Sequence, residues 1–344
     1  MTRRLTGTVT LAHGGGGRAM RDLVAGVFLP AFDNPALGQL EDQARLDAGA
    51  LAVPGARLAF TTDGFVVRPL EFPGGDIGKL AVCGTVNDLA VGGATPLWLS
   101  CAVVIEEGFE IERLQRIIGS MRAAAAEAGV AIVTGDTKVV ERGAADGLFI
   151  TTAGVGVLPP GRDLAAAHVR PGDVVLVNGP LGDHGAAVMA ARGDLALETS
   201  LVSDCRPLNG LMAALLAAAP GTRCARDATR GGVAAVLNEI AEAAGRAVTI
   251  EEAQIPVRSE VAGLCEILGL DPLYLANEGT AIAVVPSDEA EAALAAWRAH
   301  PAGVEARAIG RIAEGPAGEV VLRTRLGGER LVDLLVGDQL PRIC

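Results

Sequence analysis

Four acidic motifs in the sequence can supply ligands to a hard cation. The motifs are TTDG, VNDLA, TGDTK and RDATRGG, and their carboxylates belong to Asp63, Asp88, Asp136 and Asp227. We expect each at the end of a strand or the start of a helix, where Mg²⁺ takes oxygen ligands and keeps several waters. A lone aspartate in such a place is more often a turn former or a helix cap. The set of four therefore predicts a metal and phosphate site that no single motif would predict.

A glycine-rich segment near the N-terminus, HGGGG at His13–Gly17, precedes a helix-like run. Consecutive glycines let backbone N–H groups point at one anion, as phosphate-binding loops require. The glycines concerned are Gly14, Gly15, Gly16 and Gly17. No Gly-Lys-Ser or Gly-Lys-Thr sequence follows, so the segment is not a P-loop. A flexible N-terminal segment explains the motif equally well, and His13 alone indicates no role.

Two other side chains can take part in proton transfer. Lys138 follows Asp136 by two residues in a predicted strand, so the two side chains share a face of that strand. An ammonium beside a triphosphate would neutralise developing charge or move a proton, although a surface ion pair is the commoner use of lysine. Glu278 in ANEG precedes a predicted strand, where it would be either a base or a solvated loop carboxylate.

The last residue, Cys344, follows a segment with neither helical nor strand periodicity. We predict that residues 336–344 form a mobile tail. About nine extended residues reach roughly 30 Å, which is enough for the thiol to leave one site and enter another. An incidental terminal cysteine is the alternative.

Composition limits the function classes. The 344 residues carry a formal net charge of -12, with a sequence pI of about 4.9, which disfavours nucleic acid and anionic membranes as partners. The apolar runs are far shorter than a membrane span and the first residues lack the apolar core of a signal peptide, so we expect a cytoplasmic protein. The six cysteines form no CxxC pair, which argues against a zinc site or a disulfide framework.

Alternating strand-like and helix-like runs predict an α/β fold. Residues 57–67 and 98–105 have strand-like patterns, whereas residues 111–129 and 231–245 carry apolar side chains at helical spacing. Ser287 is the predicted N-cap of a later helix.

The pair Pro159–Pro160 breaks both periodicities and marks the predicted domain boundary. The chain then divides into a glycine-rich segment, two α/β domains and a tail, over residues 1–40, 41–160, 161–335 and 336–344.

Together these motifs resemble the HypE family of hydrogenase maturation factors. The resemblance is carried, in order along nearly the whole chain, by FPGGDIGKLAVCGTVNDLAVGGATPLWLS, TGDTKVVERG, RDATRGG, ANEG and the terminal PRIC. The wider superfamily includes aminoimidazole ribonucleotide synthetase, selenophosphate synthetase and thiamine-monophosphate kinase. The resemblance implies an ATP-binding N-terminal domain that pairs sheets in a homodimer, a C-terminal α/β domain and a flexible tail.

The resemblance also implies an activity, that of an ATP-dependent carbamoyl dehydratase. A carbamoyltransferase, HypF, would load a carbamoyl group on Cys344, and ATP would drive its dehydration to a thiocyanate. The cyano group would pass to iron in a HypC–HypD complex and supply the cyanide ligand of NiFe hydrogenase.

By the same match, several residues receive roles. Lys138 and Glu278 would handle protons, in either order. The residues that would hold Mg²⁺ and ATP are Asp63, Asp88, Asp136 and Asp227, with Asn87, Thr137 and the HGGGG segment near the phosphates. The family pattern has a serine within that segment, a proline at Ala228 and a lysine at Thr280, and this chain departs from it at all three places.

Two other functions stay open on the sequence alone. One is an ATP-dependent small-molecule synthetase or kinase of the same superfamily, which would need no terminal thiol. The other is a non-catalytic carrier that only displays Cys344, and the four aspartate motifs argue against it.

Overall fold

A computed structural model describes residues 6–15, 17–40, 43–193, 200–335 and 342–344. The predicted phosphate contact at Gly16 lies outside the described residues, as does the predicted tail except for its last three residues.

The first half of the chain builds a four-stranded sheet covered on one face by two long helices. Its elements are α1 (Arg18–Leu23), α2 (Leu29–Ala31), β1 (Arg57–Phe65), β2 (Glu71–Phe72), β3 (Gly75–Asp76), α3 (Ile77–Val91), β4 (Thr95–Glu106), α4 (Ile111–Ala128), β5 (Ala131–Val140) and β6 (Leu148–Leu158). The strand order is β1-β6-β4-β5. Strand β4 runs parallel to β5, and the other neighbours are antiparallel. Strands β1 and β5 are therefore the two edges of this sheet.

The helices of this half follow from apolar spacing and from small residues. Helix α4 buries one stripe and ends before Gly129, whose φ of 70° is the left-handed conformation that glycine favours. Helix α3 is buried almost all round and is capped by Asp76, whose carboxylate accepts the N–H groups of Gly78 and Lys79. A Cβ atom at Gly78 would lie 2.4 Å from the carbonyl oxygen of Ile117, so glycine is required where α3 crosses α4.

The second half builds a seven-stranded sheet with the strand order β13-β12-β9-β11-β7-β10-β8. Its elements are β7 (Val174–Val177), α5 (Asp183–Ala191), α6 (Asn209–Ala218), β8 (Cys224–Asp227), α7 (Gly232–Ala244), β9 (Ala247–Glu251), α8 (Ser259–Leu268), β10 (Ala281–Val285), α9 (Ala290–Arg298), β11 (Arg307–Ala313), β12 (Val320–Arg323) and β13 (Glu329–Leu331). The predicted cap at Ser287 is wrong. Residues 287–289 form a turn, and α9 starts at Ala290 with Glu289 as its N-cap.

Helix α3 joins the two halves. At its C-terminal end, Ala90 and Val91 share one apolar core with Leu211 and Leu215 of α6. A helix buried between two sheets brings its own polar side chains into the crevice between the halves. Over the described ranges, every helix is too short or too polar to cross a membrane.

Candidate active site

Three of the four predicted metal ligands meet in the crevice between the two halves. Asp63 lies in β1, Asp88 in the last turn of α3 and Asp227 at the end of β8. Thr61 donates to Asp88 Oδ2 at 2.8 Å, and the backbone N–H of Gly64 donates to Asp63 Oδ1 at 2.8 Å. Burial raises the pKa of both carboxyl groups, and in Asp88 the charge of Asp63 adds to the effect.

Asp227 is the most perturbed of the three. Burial, followed by the negative charges of Asp88 and Asp63, raises its pKa from 3.8 to about 7. Asp88 and Asp227 also line a cavity of about 480 Å³, together with Thr61. Buried carboxylates that lie close together beside an open cavity form a site in which a cation would stabilise their ionised forms.

This arrangement suits a cation that shares its ligands with a phosphate. No three His, Cys, Asp or Glu side chains in the described ranges are placed to enclose a metal ion by themselves. Mg²⁺ is usually held by one or two carboxylates, water and substrate phosphate rather than by a protein cage. The donor set of Asp63, Asp88 and Asp227 therefore fits Mg²⁺ bound with a nucleotide.

The fourth predicted ligand, Asp136, is not part of this cluster. Asp63 shares one cross-strand row with Gly135, the neighbour of Asp136, through Thr152 and Cys101. Three strand spacings, about 14 Å in all, separate the two edges of the sheet. Asp63 also points toward α3, because a Cβ atom at Gly84 would lie 3.6 Å from its Oδ2.

Asp136 and Lys138 project from the opposite face of the sheet. The intervening Thr137 is buried, whereas Asp136 and Lys138 are exposed. Lys138 Nζ lies 2.8 Å from Asp136 Oδ2, which confirms that the two share a face of their strand. The hydrogen bond from Lys138 lowers the pKa of Asp136. In a single chain this pair is solvated and remote from the other three carboxylates.

The glycine-rich segment lies beside the same edge strand. Residues Leu11–Gly14 form one turn of 3₁₀-helix, and His13 Nδ1 accepts the Thr10 N–H at 3.0 Å. A Cβ atom at Gly14 would lie 2.8 Å from the backbone nitrogen of Val139, so glycine permits the close approach to β5. Gly15 follows this turn, and Gly17 is the N-cap of α1. The described part of HGGGG therefore contacts β5 at Val139, the residue that follows Lys138.

A second cavity, of about 220 Å³, opens between this N-terminal region and β5. Asp136 and Thr137 border it, together with apolar side chains such as Met20 and Phe28. The backbone N–H of Thr137 donates to Asp136 Oδ1 at 2.8 Å and so holds this carboxylate at the rim of the cavity.

Glu278 is buried at the boundary of the two halves, with only 3% of its surface exposed. Its Oε1 atom has no hydrogen-bond partner among the described residues. Burial raises the pKa of Glu278 well above its ordinary value, with further contributions from Cys205, Asp204 and Asp227. A carboxyl group with a raised pKa is a stronger base, once ionised, than an ordinary glutamate.

Asp204, which sequence reasoning missed, fixes the Glu278 loop. Its carboxylate accepts the backbone N–H groups of Glu278 and Gly279, each at 2.9 Å, and the hydroxyl of Thr280 at 2.9 Å. Thr280 stands where the family has a lysine, and this departure is visible in the sequence. No sequence pattern, however, linked Thr280 to Asp204. The three bonds fix the backbone from which the Glu278 side chain projects.

Asn87 occupies the same boundary but binds protein in this structure. Its Nδ2 donates to the carbonyl oxygens of Arg206 at 3.1 Å and Glu278 at 3.3 Å, and its Oδ1 accepts the Leu208 N–H at 2.7 Å. These bonds tie α3 to the segment that precedes α6. Its predicted contact with phosphate stays a prediction.

The last three residues are docked against the first half of the chain. The N–H of Val66 donates to Cys344 O and the N–H of Arg68 donates to Arg342 O, both at 3.1 Å, as in a short added strand. Ile343 is 4% exposed and belongs to the main apolar core, against which Cys344 packs. The same core contains Cys205. After burial, Cys205 is the next contributor to the raised pKa of Glu278, so it lies close to that carboxyl group. In the described state the terminal cysteine is thus half-buried rather than outside every packed element.

His184 and Arg192 hold this docked end, and neither was predicted. His184 Nε2 donates to the Ile343 carbonyl at 2.8 Å, and Nδ1 accepts the Ser203 hydroxyl at 2.8 Å. Burial lowers the pKa of His184, which favours the neutral ring that this pattern requires. Arg192 donates to Arg342 O at 3.0 Å, and Arg342 pairs with Asp146. No spacing in the sequence connects these residues, because they meet only through the fold.

Each half of the chain matches a known family of domains. Residues 45–158 match the family described as AIR synthase related protein, N-terminal domain, and residues 170–323 match the C-terminal domain of that description. The predicted two-domain α/β fold is confirmed by these matches and by solved structures.

Three relatives extend the comparison over nearly the full length. Carbamoyl dehydratase HypE of Rhodobacter capsulatus is 65% identical over 336 residues, which cover 98% of either chain. A crystal structure of hydrogenase maturation protein HypE in complex with ATP is 46% identical, with a TM-score of 0.93, covering 98% of this chain and 100% of that one. A crystal structure of a HypE–HypF complex is also 46% identical, with a TM-score of 0.79, covering 93% and 100%.

Proposed function

The chain belongs to the HypE family of carbamoyl dehydratases, and on this premise we propose that it dehydrates a carbamoyl group carried on Cys344 to a thiocyanate in an ATP-dependent reaction. The reaction serves the maturation of NiFe hydrogenase, to which the cyano group supplies cyanide. The observation that carries the proposal is the docking of Cys344 onto the core that adjoins the buried acid Glu278.

The chemistry requires two proton removals and one phosphoryl transfer. Loss of an N–H proton makes the carbamoyl oxygen nucleophilic enough to attack the γ-phosphate, and ADP leaves. Loss of the second N–H proton then breaks the C–O bond, phosphate departs with that oxygen, and the C≡N bond remains on sulfur. One water is removed overall, and its oxygen ends in phosphate.

We assign proton transfer at the carbamoyl nitrogen to Glu278. Its carboxyl group is buried, its Oε1 is not engaged by the described protein groups, and Asp204 holds its loop. Its raised pKa makes the ionised form a strong proton acceptor and the neutral form a proton donor. His184 and Arg192 would orient the carbamoylated residue by holding the two carbonyls that precede it.

The carboxylates Asp63, Asp88 and Asp227 would hold Mg²⁺ together with the nucleotide phosphates. Bound there, the cation would neutralise charge on the transferring phosphoryl group. The raised pKa values of Asp88 and Asp227 support this assignment, because burial and then the charges of neighbouring carboxylates raise them, and a cation would stabilise the ionised forms. Asp136, Lys138, Thr137 and the glycine-rich segment would contact the phosphates from the β5 side.

A homodimer would bring the two groups of residues together. The sheet face that carries Lys138 is open in one chain, and on edge strand β1 the side chains of Leu58 and Phe60 are 61% and 68% exposed. Trp98 and Val155 lie in the same cross-strand row as Phe60. Covering this apolar face with a second copy would exclude water from Lys138 and Asp136.

The proposal includes three partners and a location. A HypF-type carbamoyltransferase would load Cys344, in line with the HypE–HypF complex among the relatives, and a HypC–HypD complex would receive the cyano group on iron. Loading and transfer would both require the last three residues to leave their docked position. We place the reaction in the cytoplasm, where ATP is available.

Mass spectrometry of the C-terminal peptide tests the proposal. After incubation with the carbamoyl donor system, the peptide should gain a carbamoyl group on Cys344, and addition of Mg²⁺ and ATP should then remove the mass of one water. Cys344→Ala should show neither change, whereas the matched variant Cys265→Ala should show both. Full cyano-group formation by Cys344→Ala would overturn the proposal.

A further inference from the structure

A cleft lined by arginines lies away from the carboxylate cluster. It has a volume of about 680 Å³ and is formed by the segment that links the two halves, by the loop before β8 and by the turn before β9. The charged side chains that line it are Arg162, Arg170, Arg223, Arg246 and Asp163. The cleft therefore has four basic groups and one acidic group, whereas the whole chain has 29 basic and 41 acidic residues. Its charge is opposite in sign to that of the chain.

The floor of the cleft is organised by a buried carboxylate. Asp173, only 5% exposed, accepts from Arg223 Nε at 3.2 Å and from the backbone N–H of Arg170 at 2.8 Å. The ion pair fixes the Arg223 guanidinium at one position and leaves its outer edge toward the cleft. A positioned guanidinium is pre-organised for an oxyanion, because less side-chain entropy is lost on binding.

Arg162 and Asp163 line the cleft beside this floor, and both are held by neighbouring residues. A Cβ atom at Gly93 would lie 2.9 Å from Arg162 Cγ, so the glycine makes room for the Arg162 stem. The single acidic group, Asp163, is neutralised by Arg57 at 3.3 Å, and His168 lies 3.6 Å from the same carboxylate. The guanidinium groups of Arg162, Arg170 and Arg246 have no carboxylate partner in the described part of the chain.

We propose that this cleft binds a small phosphate-bearing anion, at a site separate from the one that turns over ATP. Arginine forks match phosphate oxygens in bidentate geometry, and the volume lies within the usual range for small-molecule sites, about 300–1,000 Å³. Leu164 lines both this cleft and the cavity of Asp88 and Asp227, so the bound anion and the catalytic cavity share one wall. Free phosphate, pyrophosphate or the phosphates of a nucleotide can supply this chemistry.

Isothermal titration of the full chain in low-salt buffer without Mg²⁺ tests the site, with phosphate, pyrophosphate and ADP as separate probes. The double variant Arg170→Gln, Arg246→Gln removes two charges from exposed positions. The matched control, Arg122→Gln, Arg325→Gln, removes two charges from exposed positions elsewhere. We expect at least about tenfold weaker binding of one or more probes by the cleft variant and unchanged binding by the control.

The pattern of losses identifies the ligand and separates this proposal from the proposed function. A loss confined to ADP indicates a nucleotide site, whereas a loss shared by pyrophosphate or phosphate indicates a site for the oxyanion itself. Dehydration of carbamoylated Cys344 should persist in the cleft variant under saturating ATP. If all three probes bind the cleft variant as tightly as wild type, or none binds wild type, the proposal is wrong.

Discussion

The region around Glu278 and the region around Lys138 differ in almost every physical respect. Glu278 is buried, its loop is pinned by Asp204, and the pKa of its carboxyl group is raised by burial. Lys138 and Asp136 have side chains 62% and 55% exposed, and the pKa of Asp136 is lowered by its lysine partner. One chain therefore completes the environment of Glu278 but leaves the Lys138 region in water.

The proposed homodimer, with its site divided between two subunits, would account for this contrast. Electrostatic interactions with a transferring phosphoryl group are strong only where water is excluded. The open sheet face around Lys138 lacks that exclusion, whereas Glu278 is already buried in one chain. A second copy packed on the open face would exclude water from Lys138, as the core of a single chain excludes it from Glu278.

The largest expected effect comes from the buried region. Glu278→Gln keeps the shape of the side chain but removes its proton chemistry, so the rate of thiocyanate formation should fall by about 10²–10⁴-fold. The exposed control Glu291→Gln should retain the wild-type rate. The rate is measured by quenched-flow mass analysis of the C-terminal peptide. A loss smaller than threefold (roughly 0.6 kcal/mol) would remove Glu278 from the mechanism.

The exposed region should be less sensitive. Lys138→Ala removes one charge that interacts with the phosphates, and we expect the ATP-dependent rate to fall by about 10²-fold. Lys138→Arg keeps the charge and should recover part of that loss, which a purely steric role would not produce. The same assay measures both variants. An unchanged rate in Lys138→Ala would show that Lys138 takes no part in the reaction.

The pH dependence of stability tests the buried carboxylate Asp227 of the metal cluster. Asp227 has a pKa of about 7 in the folded state against 3.8 ordinarily, so the folded state binds more protons than the unfolded state between these values. Its contribution to the free energy of unfolding therefore falls as pH rises through that window and levels off above about pH 7. Asp227→Asn should flatten this slope in urea unfolding measured from pH 4.5 to 8.

Binding of Mg²⁺ and ATP should show the opposite trend. Ionised carboxylates are needed to hold the cation, so affinity should rise with pH by up to about tenfold per unit until Asp227 has ionised. Titration calorimetry across the same range checks this trend. Affinity that is independent of pH would separate Asp227 from the cation site.

The smallest expected effect concerns the docked tail. His184→Gln should weaken the contact with Ile343 by about one hydrogen bond, which raises the undocked fraction by about three- to tenfold. The other five cysteines are buried, so the rate of iodoacetamide labelling at Cys344 reports undocking directly. His300→Gln, in the turn that follows α9, is the control. Slower or unchanged labelling in His184→Gln would show that His184 does not hold the tail.

Local patterns in the sequence predict much of the fold. The apolar stripe of residues 111–129 predicts a helix because burial of one face and a terminal glycine are local properties, and α4 ends within one residue of that range. The strand that contains Asp136 and Lys138 is also predicted from a local property, the period of two that places both side chains on one face. Ser287 fails as a cap because the helix starts later, at Ala290, and capping preference cannot choose between neighbouring starts.

The candidate site is predicted less completely. The aspartates are visible as motifs, but their division into a cluster of three and a remote Asp136 depends on strand order, which no local pattern encodes. Asp204 and His184 act through residues about 74 and 159 positions away along the chain, as the loop of Glu278 and the docked Ile343 show. Such contacts are properties of the packed halves and could be found only in the folded chain.

Complementation between two inactive variants tests the divided site most directly. Lys138→Ala and Glu278→Gln subunits, carrying different tags, are dissociated, mixed in equal amounts and reassociated, and thiocyanate formation is measured. If Glu278 of one subunit works with Lys138 of the other, half of the dimers regain one intact site and activity returns to about a quarter of wild type. Activity no greater than that of the two variants alone, with mixed dimers verified by their tags, would contradict the account.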